Sequence, residues 1–168
     1  IGGLAGDSLT TGFQNIAIGY GALGAETVGG DSVAIGTEAL TTQISSATSI
    51  YNVAIGTNAG RLITSGVSNT IVGGLAGDAL TDADANVAIG TSALSTCQTG
   101  SRNIAIGASA LLRCNPASAA DMHNIAIGTN AGEFISTGIK NVLIGGLAGD
   151  NLTTGSKTSL GYPPLVIF

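Results

Sequence analysis

The sequence predicts an all-β fold in which the chain winds into a parallel β-solenoid, or β-roll, of about ten coils. A motif of the form Asn-(Val/Ile)-Ala-Ile-Gly recurs along the chain, and its glycine most often returns after 17 residues. Such a period is too short for a pair of helices, and β-branched residues together with 27 glycines among 168 residues disfavour helix altogether. Only 9% of the residues are charged, so a single globule with a polar surface is not expected.

The glycine that ends each motif, called the key glycine below, fixes the register. The key glycines are Gly2, Gly19, Gly36, Gly56, Gly73, Gly90, Gly107, Gly128, Gly145 and Gly161. The phrase Gly-Leu-Ala-Gly-Asp returns in every fourth coil, at residues 3–7, 74–78 and 146–150. We therefore predict a solenoid domain over residues 1–161, with two four-coil super-repeats and the start of a third. Residues 162–168 contain prolines that cannot continue a strand ladder, so we predict that they begin a transition to a following domain.

Each predicted strand is apolar on both faces. The residues one and three places before each key glycine, such as Ile18 and Ile16, are large and mostly aliphatic, while the residue between them is usually alanine. Alternate strand residues share a face, so the strand has a large-residue face and a small-residue face. We expect another backbone layer to approach the small-residue face, and three chains side by side would bury that face along a common axis.

An asparagine column lies four residues before the key glycines. Its members are Asn15, Ser32, Asn52, Asn69, Asn86, Asn103, Asn124 and Asn141. Asparagine suits turns, and its amide can bond the local backbone and its neighbours above and below in a stack. We therefore expect a structural ladder here in preference to a row of ligand-binding groups.

The ionisable residues are too few and too scattered for catalysis. The only histidine is His123, and the chain has neither a zinc-ligand spacing nor a phosphate-loop motif. Asp7, Asp78 and Asp150 share a register position, but at four coils apart they would lie about 19 Å from one another. We expect turn-forming roles for them, the alternative being a cation shared among several chains around an axis. The sequence thus predicts no enzyme activity, no catalytic or metal-binding residues and no cofactor.

The charge balance and the hydropathy pattern argue against several kinds of partner. A net charge of -5 offers nucleic acid no attraction, and no run of 18 apolar residues is present that could insert into a membrane. A flat threonine column would indicate ice binding. Glycine, alanine and tyrosine interrupt the candidate column one residue after the key glycine, so we disfavour that function. The threonines in this column are Thr37, Thr57, Thr91 and Thr129.

Two segments carry a resemblance to known repeats. Residues 52–60 read Asn-Val-Ala-Ile-Gly-Thr-Asn-Ala-Gly, and residues 15–23 read Asn-Ile-Ala-Ile-Gly-Tyr-Gly-Ala-Leu. They resemble the head repeats of trimeric autotransporter adhesins and, more closely, the repeats of bacteriophage tail fibres, and the similarity extends over residues 1–161. The resemblance implies a homotrimer of parallel β-rolls, intertwined or side by side, that acts as a rigid stalk or head in surface attachment.

The coil length favours one of these two families. Adhesin heads use coils shorter than the 17 residues found here. We therefore expect a structural segment of a phage tail fibre, located in the virion, with the head of an adhesin on a bacterial cell surface as the alternative. The implied partners are further copies of this chain, other fibre or baseplate domains, and a glycan or protein on the host cell surface.

Two long coils and one basic column are candidates for receptor contact. The interval from Gly36 to Gly56 has three extra residues and that from Gly107 to Gly128 has four, which predicts bulges within residues 41–51 and 112–123 on one side of the rod. The column five residues before the key glycine becomes basic near one end, where it would attract an anionic glycan or simply keep the rod soluble. The candidate receptor-facing residues are Thr41, Gln43, Tyr51, Arg102, Arg113, Asn115, His123 and Lys140.

The two cysteines have equal offsets. Cys97 and Cys114 each lie seven residues after a key glycine in adjacent coils. Their Cα atoms should therefore be about 4.8 Å apart, within the range that a disulfide allows. We expect two stacked free thiols in the reducing cytoplasm where a phage fibre assembles, whereas an exported adhesin could oxidise them. No catalytic or metal role is expected for either residue.

Overall fold

The computed structural model describes residues 1–46, 48–156, 158–160 and 165–166. Within these residues the fold is all-β, without helices, and it is the parallel β-solenoid that the sequence predicts. Nine short parallel strands lie above one another in a single sheet and enclose about eight turns of roughly 17 residues. The sequence estimate of about ten coils counted ten key glycines, but no described strand precedes Gly2, and nine stacked strands delimit about eight turns.

The parallel strands of the main sheet are three residues long, and identical register positions pair at every step, as Ala54 does with Ile71. They are β1 (Ile16–Ile18), β2 (Val33–Ile35), β3 (Val53–Ile55), β4 (Thr70–Val72), β5 (Val87–Ile89), β7 (Ile104–Ile106), β9 (Ile125–Ile127), β10 (Val142–Ile144) and β11 (Thr158–Leu160). Two further strands, β6 (Gly100–Ser101) and β8 (Ala120–Asp121), form a small parallel sheet of their own.

The predicted transition segment falls mostly outside the described residues, which leave out 162–164 and 167–168. The part that is described is the strand β12 (Leu165–Val166), which pairs antiparallel with β11. All the other pairs in the main sheet are parallel.

The small-residue face of the strands lines the interior of each coil, which corrects the expectation that it lies between chains. From β2 to β10 the middle residue of each main-sheet strand is fully buried, as Ala34 and Ala88 are. The large residues on either side of it, such as Val87 and Ile89, point outward and stay partly exposed. A 17-residue coil encloses a narrow space, and alanine at the strand centre leaves room for the opposite wall.

The super-repeat arises inside the solenoid, where a large residue at the strand centre faces a glycine and a small residue at the strand centre faces a larger one. At β4 the central residue is Ile71, and the coils on either side have Gly60 and Gly77 at the facing position. A Cβ atom on either glycine would lie 3.1 Å from Ile71 Cδ1, so a larger residue would not fit. The same exchange surrounds Leu143. Where the strand centre is alanine, the facing position is filled by a buried leucine in most coils, namely Leu23, Leu40, Leu94 and Leu111.

The asparagine ladder is confirmed as a structural element, and its asparagines from Asn52 to Asn141 are fully buried. The backbone N–H of Asn86 donates to Asn69 Oδ1 at 3.0 Å, and that of Asn103 donates to Asn86 Oδ1 at 2.9 Å. The Asn86 amide also donates to the carbonyl of Gly100, one coil further on, at 3.0 Å. Each amide thus ties together two coils at a turn where a regular strand ladder is interrupted.

Candidate functional site

Half of the predicted receptor-facing residues occupy one exposed column. They lie five residues before the key glycine, and in each of them φ is between 53 and 61 degrees. This left-handed turn recurs at the same position before each key glycine from Gly19 to Gly145 and directs the side chain away from the interior. These residues are Tyr51, Arg102, His123 and Lys140.

The other four residues lie five to eight positions after a key glycine, so the structure does not gather the eight candidates into one site. Arg113 and Asn115 are exposed, and Thr41 is half-buried. The prediction that Gln43 faces a receptor is wrong, because its side chain is fully buried. Its position, seven residues after the key glycine, points into the solenoid.

Two of the basic side chains already have partners. Arg102 Nε lies 2.9 Å from Asp121 Oδ1, and the two side chains are 56% and 55% exposed. The guanidinium carbon of Arg113 lies 4.6 Å from the centre of the Phe134 ring, in a cation–π arrangement. Because an acidic side chain lies beside Arg102, the positive charge of the basic column is partly neutralised.

The two bulges leave the solenoid at equivalent positions. Ser46 and Thr48 are exposed in the first, and Ala47 between them lies outside the described residues. Residues 117–119 are exposed in the second. The chain rejoins the stack through a bridge between Ser49 and Gly30 in the first long coil and through β8 in the second. The bulges therefore project from the same side of the rod, as the spacing predicts.

A continuous apolar strip runs along the outside of the main sheet. We define the apolar strip as the residues one and three places before the key glycines, from Ile16 to Ile144, all of which are aliphatic except Thr70. In the middle of the stack Ile55 is 38% exposed and Ile89 is 37% exposed. Isolated apolar side chains are common on protein surfaces, but a contiguous strip of this length is typical of an interaction surface.

The interior holds a polar pair in each super-repeat, at the position seven residues after the key glycine. In the first, Gln43 Nε2 donates to Glu26 Oε2 at 3.3 Å. Glu26 is fully buried, and its other oxygen accepts three backbone N–H bonds from residues 27–29 at 2.8 to 3.1 Å. A buried carboxylate with this many donors is a structural anchor and has no free lone pair aimed at a ligand.

Cys97 and Cys114 form the corresponding pair in the second super-repeat, 71 residues later. Their Sγ atoms lie 2.9 Å apart, so the stacking that the equal offsets predict is present. Met122 Sδ lies 3.3 Å from Cys114 Sγ. The hydrogen bond with Cys97, together with burial, raises the pKa of the Cys114 thiol well above its ordinary value.

The two interior pairs, Glu26–Gln43 and Cys97–Cys114, lie next to the long coils, where the hydrogen-bond partners of the asparagine ladder change. Asn86 has the Gly100 carbonyl as an acceptor at 3.0 Å, but Asn103, next to the second long coil, has Cys114 Sγ at 3.9 Å in the equivalent place. In the first super-repeat the ladder residue is Ser32, whose Oγ accepts from Gln43 at 3.3 Å. We did not predict this interior column from the sequence, although its other members are all apolar, namely Leu9, Ile63, Leu80, Ile135 and Leu152.

The remaining candidates behave as structural groups. Asp78 accepts a hydrogen bond from the Ser95 hydroxyl of the next coil at 2.6 Å, in keeping with a turn role.

In the described part of the chain, no three or more His, Cys, Asp or Glu side chains come together as metal ligands would. The same part contains no helix of the length and apolar character needed to span a membrane. The chain matches no family model, no curated protein and no solved structure.

Proposed function

We propose that the chain is a structural segment of a phage tail fibre, in which three copies pack side by side to give a rigid extension that takes part in host-surface attachment. The observation that carries the proposal is the apolar strip, which one chain leaves in contact with water. The resemblance to tail-fibre repeats supplies the number three. On this reading the strip, and not the small-residue face, lies against the neighbouring chains.

Side-by-side packing of parallel chains suits the strip because the strip residues recur in every coil along the rod axis. Each coil rises by about 4.8 Å, so parallel copies related by rotation about that axis bring equivalent residues to equal heights. About eight coils then form a rod about 38 Å long. The bulges and the basic column lie outside the strip, and in the single chain their tips are exposed to solvent, where a glycan or protein of the host could reach them.

The oligomer is tested by placing a charge in the strip. We expect Ile89→Lys to convert a trimer, with about three times the 16.3 kDa mass of one chain, into monomers, because three ammonium groups would meet in an apolar interface. Analytical ultracentrifugation over a range of concentrations measures the change. Ser65→Lys adds the same charge at an exposed turn and should leave the trimer intact. A wild-type chain that is a folded monomer at micromolar concentration would contradict the proposal.

Attachment through an anionic glycan is tested at the basic column. Asp121→Asn removes the carboxylate beside Arg102, so we expect it to increase retention on immobilised heparin, while Lys140→Ala should decrease retention. Asp82→Asn makes the same charge change at an exposed acid outside this column and provides the control. Equal retention of the Asp121 and Asp82 variants would show that the basic column is only a solvated ridge.

A further inference from the structure

The Cys97–Cys114 pair is held in place by the backbone around it. In the adjacent coils that carry the two cysteines, the N–H of Leu94 donates to the carbonyl of Ala110, and that of Thr96 donates to the carbonyl of Leu112, both at 3.0 Å. Parallel pairing on the same ladder fixes the side chains above one another. The Sγ atoms, 2.9 Å apart, need to approach by less than about 1 Å to reach the S–S bond length.

The surroundings leave room for the pair and do not depend on its S–H groups. A Cβ atom on Gly100 would lie 2.8 Å from Cys97 Sγ and 3.2 Å from Cys114 Sγ, so only glycine leaves that volume to sulfur. The Cys97 thiol reaches the Gly100 carbonyl only at 3.8 Å, and that carbonyl already accepts a shorter bond from Asn86. Loss of both S–H donors would therefore leave no buried acceptor without a strong hydrogen bond.

The equivalent pair in the first super-repeat suggests what a bond here would do. Glu26 and Gln43 join the same two coils, second and third, by a buried hydrogen bond just before the first bulge. In the second super-repeat the two thiols occupy those positions, and an S–H contact is a weak substitute for a charge-assisted bond. A covalent bond would restore a firm tie between the coils at the point where the second bulge leaves the stack.

We propose that Cys97 and Cys114 are a modification site for small-molecule disulfides, which convert the free pair into an intramolecular disulfide inside the solenoid. One cysteine thiolate attacks the reagent, forming a mixed disulfide and releasing one reagent thiol. The second cysteine thiolate then attacks the protein sulfur of that mixed disulfide and releases the second reagent thiol. The two cysteines are oxidised, the reagent is reduced, and the two cysteine protons are transferred through water to the released thiolates.

The thiol–disulfide exchange should be faster while the chain is folding than after the rod has folded. Both cysteines are fully buried, and the raised pKa of Cys114 keeps its thiol protonated, so attack within the closed interior is slow. In the unfolded chain the thiols are accessible to the reagent. Once coils carrying the disulfide have closed, the same burial shelters it from external thiols.

Oxidation fits the geometry better than a soft metal ion. Two thiols and the Met122 thioether are ligands that Cu(I) prefers. A cation held about 2.3 Å from each cysteine sulfur would, however, push the sulfurs apart within a packed interior, whereas a disulfide draws them together. The two possibilities are separated by experiment.

The test is refolding of the full chain from denaturant in either a reducing buffer or a mixture of oxidised and reduced glutathione. We expect the number of thiols titrated after denaturation to fall from two per chain to none, and the intact mass to fall by two hydrogen atoms. The chain contains only two cysteines, so a monomeric product on non-reducing electrophoresis identifies the pair. The oxidised protein should also unfold at a higher temperature than the reduced one.

Cys97→Ser and Cys114→Ser provide the controls, since each retains one thiol, cannot form the internal bond and should show no rise in unfolding temperature in the glutathione buffer. Two remaining thiols, stable glutathione adducts or chains linked to one another would each overturn the proposal. Titration of the reduced wild-type protein with Cu(I) covers the metal alternative. Binding of one ion per chain that blocks oxidation by glutathione would show that Cys97, Cys114 and Met122 form a metal site. That result would likewise overturn the proposal.

Discussion

Replacement of Gly73 by alanine is expected to destabilise the solenoid by about 4 kcal/mol or more. Gly73 has φ of +136 degrees, a conformation that L side chains rarely adopt. A Cβ atom there would lie 2.6 Å from the carbonyl oxygen of Gly90 and 2.7 Å from its carbonyl carbon. The atoms it meets belong to the backbone of the next coil, so the clash is relieved only by separating two coils and weakening their hydrogen bonds.

The adjacent residue offers a matched control. Gly74 has no positive φ, and a Cβ atom there would meet only the Thr57 carbonyl oxygen, at 4.0 Å. We expect Gly74→Ala to change the free energy of unfolding by less than about 1 kcal/mol. Urea unfolding followed by circular dichroism measures both variants. Similar stabilities for the two alanine variants would mean that the coils can separate at the key glycine without loss.

The close approach at Gly73 explains why the register could be predicted from the sequence. Among the described key glycines from Gly2 to Gly128, each would place a Cβ atom 2.4 to 2.8 Å from the backbone of the next coil. No other residue type fits, so the glycine recurs without exception and marks every coil. The parallel pairing and the asparagine ladder follow from that register, and both were predicted correctly.

Which strand face lies inside could not be predicted in the same way. Alternation identifies the buried face only when one face is polar, and here both faces are apolar. The deciding quantity is the width of the coil, because Ala88 fits inside without special provision, whereas Ile71 fits at the same position only opposite glycines. The left-handed backbone at residues such as Tyr51 and Arg102 was also not predictable, because neither residue is a glycine or an asparagine.

The candidate site was predicted less well, for a related reason. Gln43 was assigned to the surface because it is polar and lies near a bulge, but a buried polar residue is accommodated where it has partners. Gln43 has them in Glu26 and in Asn52, whose amide donates to Gln43 Oε1 at 2.9 Å. Comparison with Ile63 and Leu80 at the same register position would have indicated an inward direction.

Replacement of Asn86 by alanine is expected to lower the free energy of unfolding by about 3 to 4 kcal/mol. Its side chain is fully buried, and it bonds Asn69 in the preceding coil as well as two backbone groups in the following coil. Without it, the backbone N–H of Asn103 loses its acceptor at 2.9 Å, and the Gly100 carbonyl loses its donor at 3.0 Å. Each buried group left without a strong partner costs about 1 to 3 kcal/mol.

Asn115→Ala removes the same amide from an exposed position and should change stability by about 0.5 kcal/mol or less. Equal losses for the two variants, measured by urea unfolding, would mean that water replaces the buried amide.

A double variant tests whether the ladder acts as a unit. Asn69 Oδ1 accepts from both the backbone N–H and the side-chain amide of Asn86, at 3.0 and 3.2 Å. Asn69→Ala alone therefore leaves two donors of Asn86 without their acceptor. When Asn86 is also alanine, only its backbone N–H remains to lose that acceptor. The double variant should lose less than the sum of the single losses, by about 0.5 kcal/mol or more. Strict additivity in the same unfolding experiments would show that each amide stabilises its own turn independently, and that the stacked amides are not coupled.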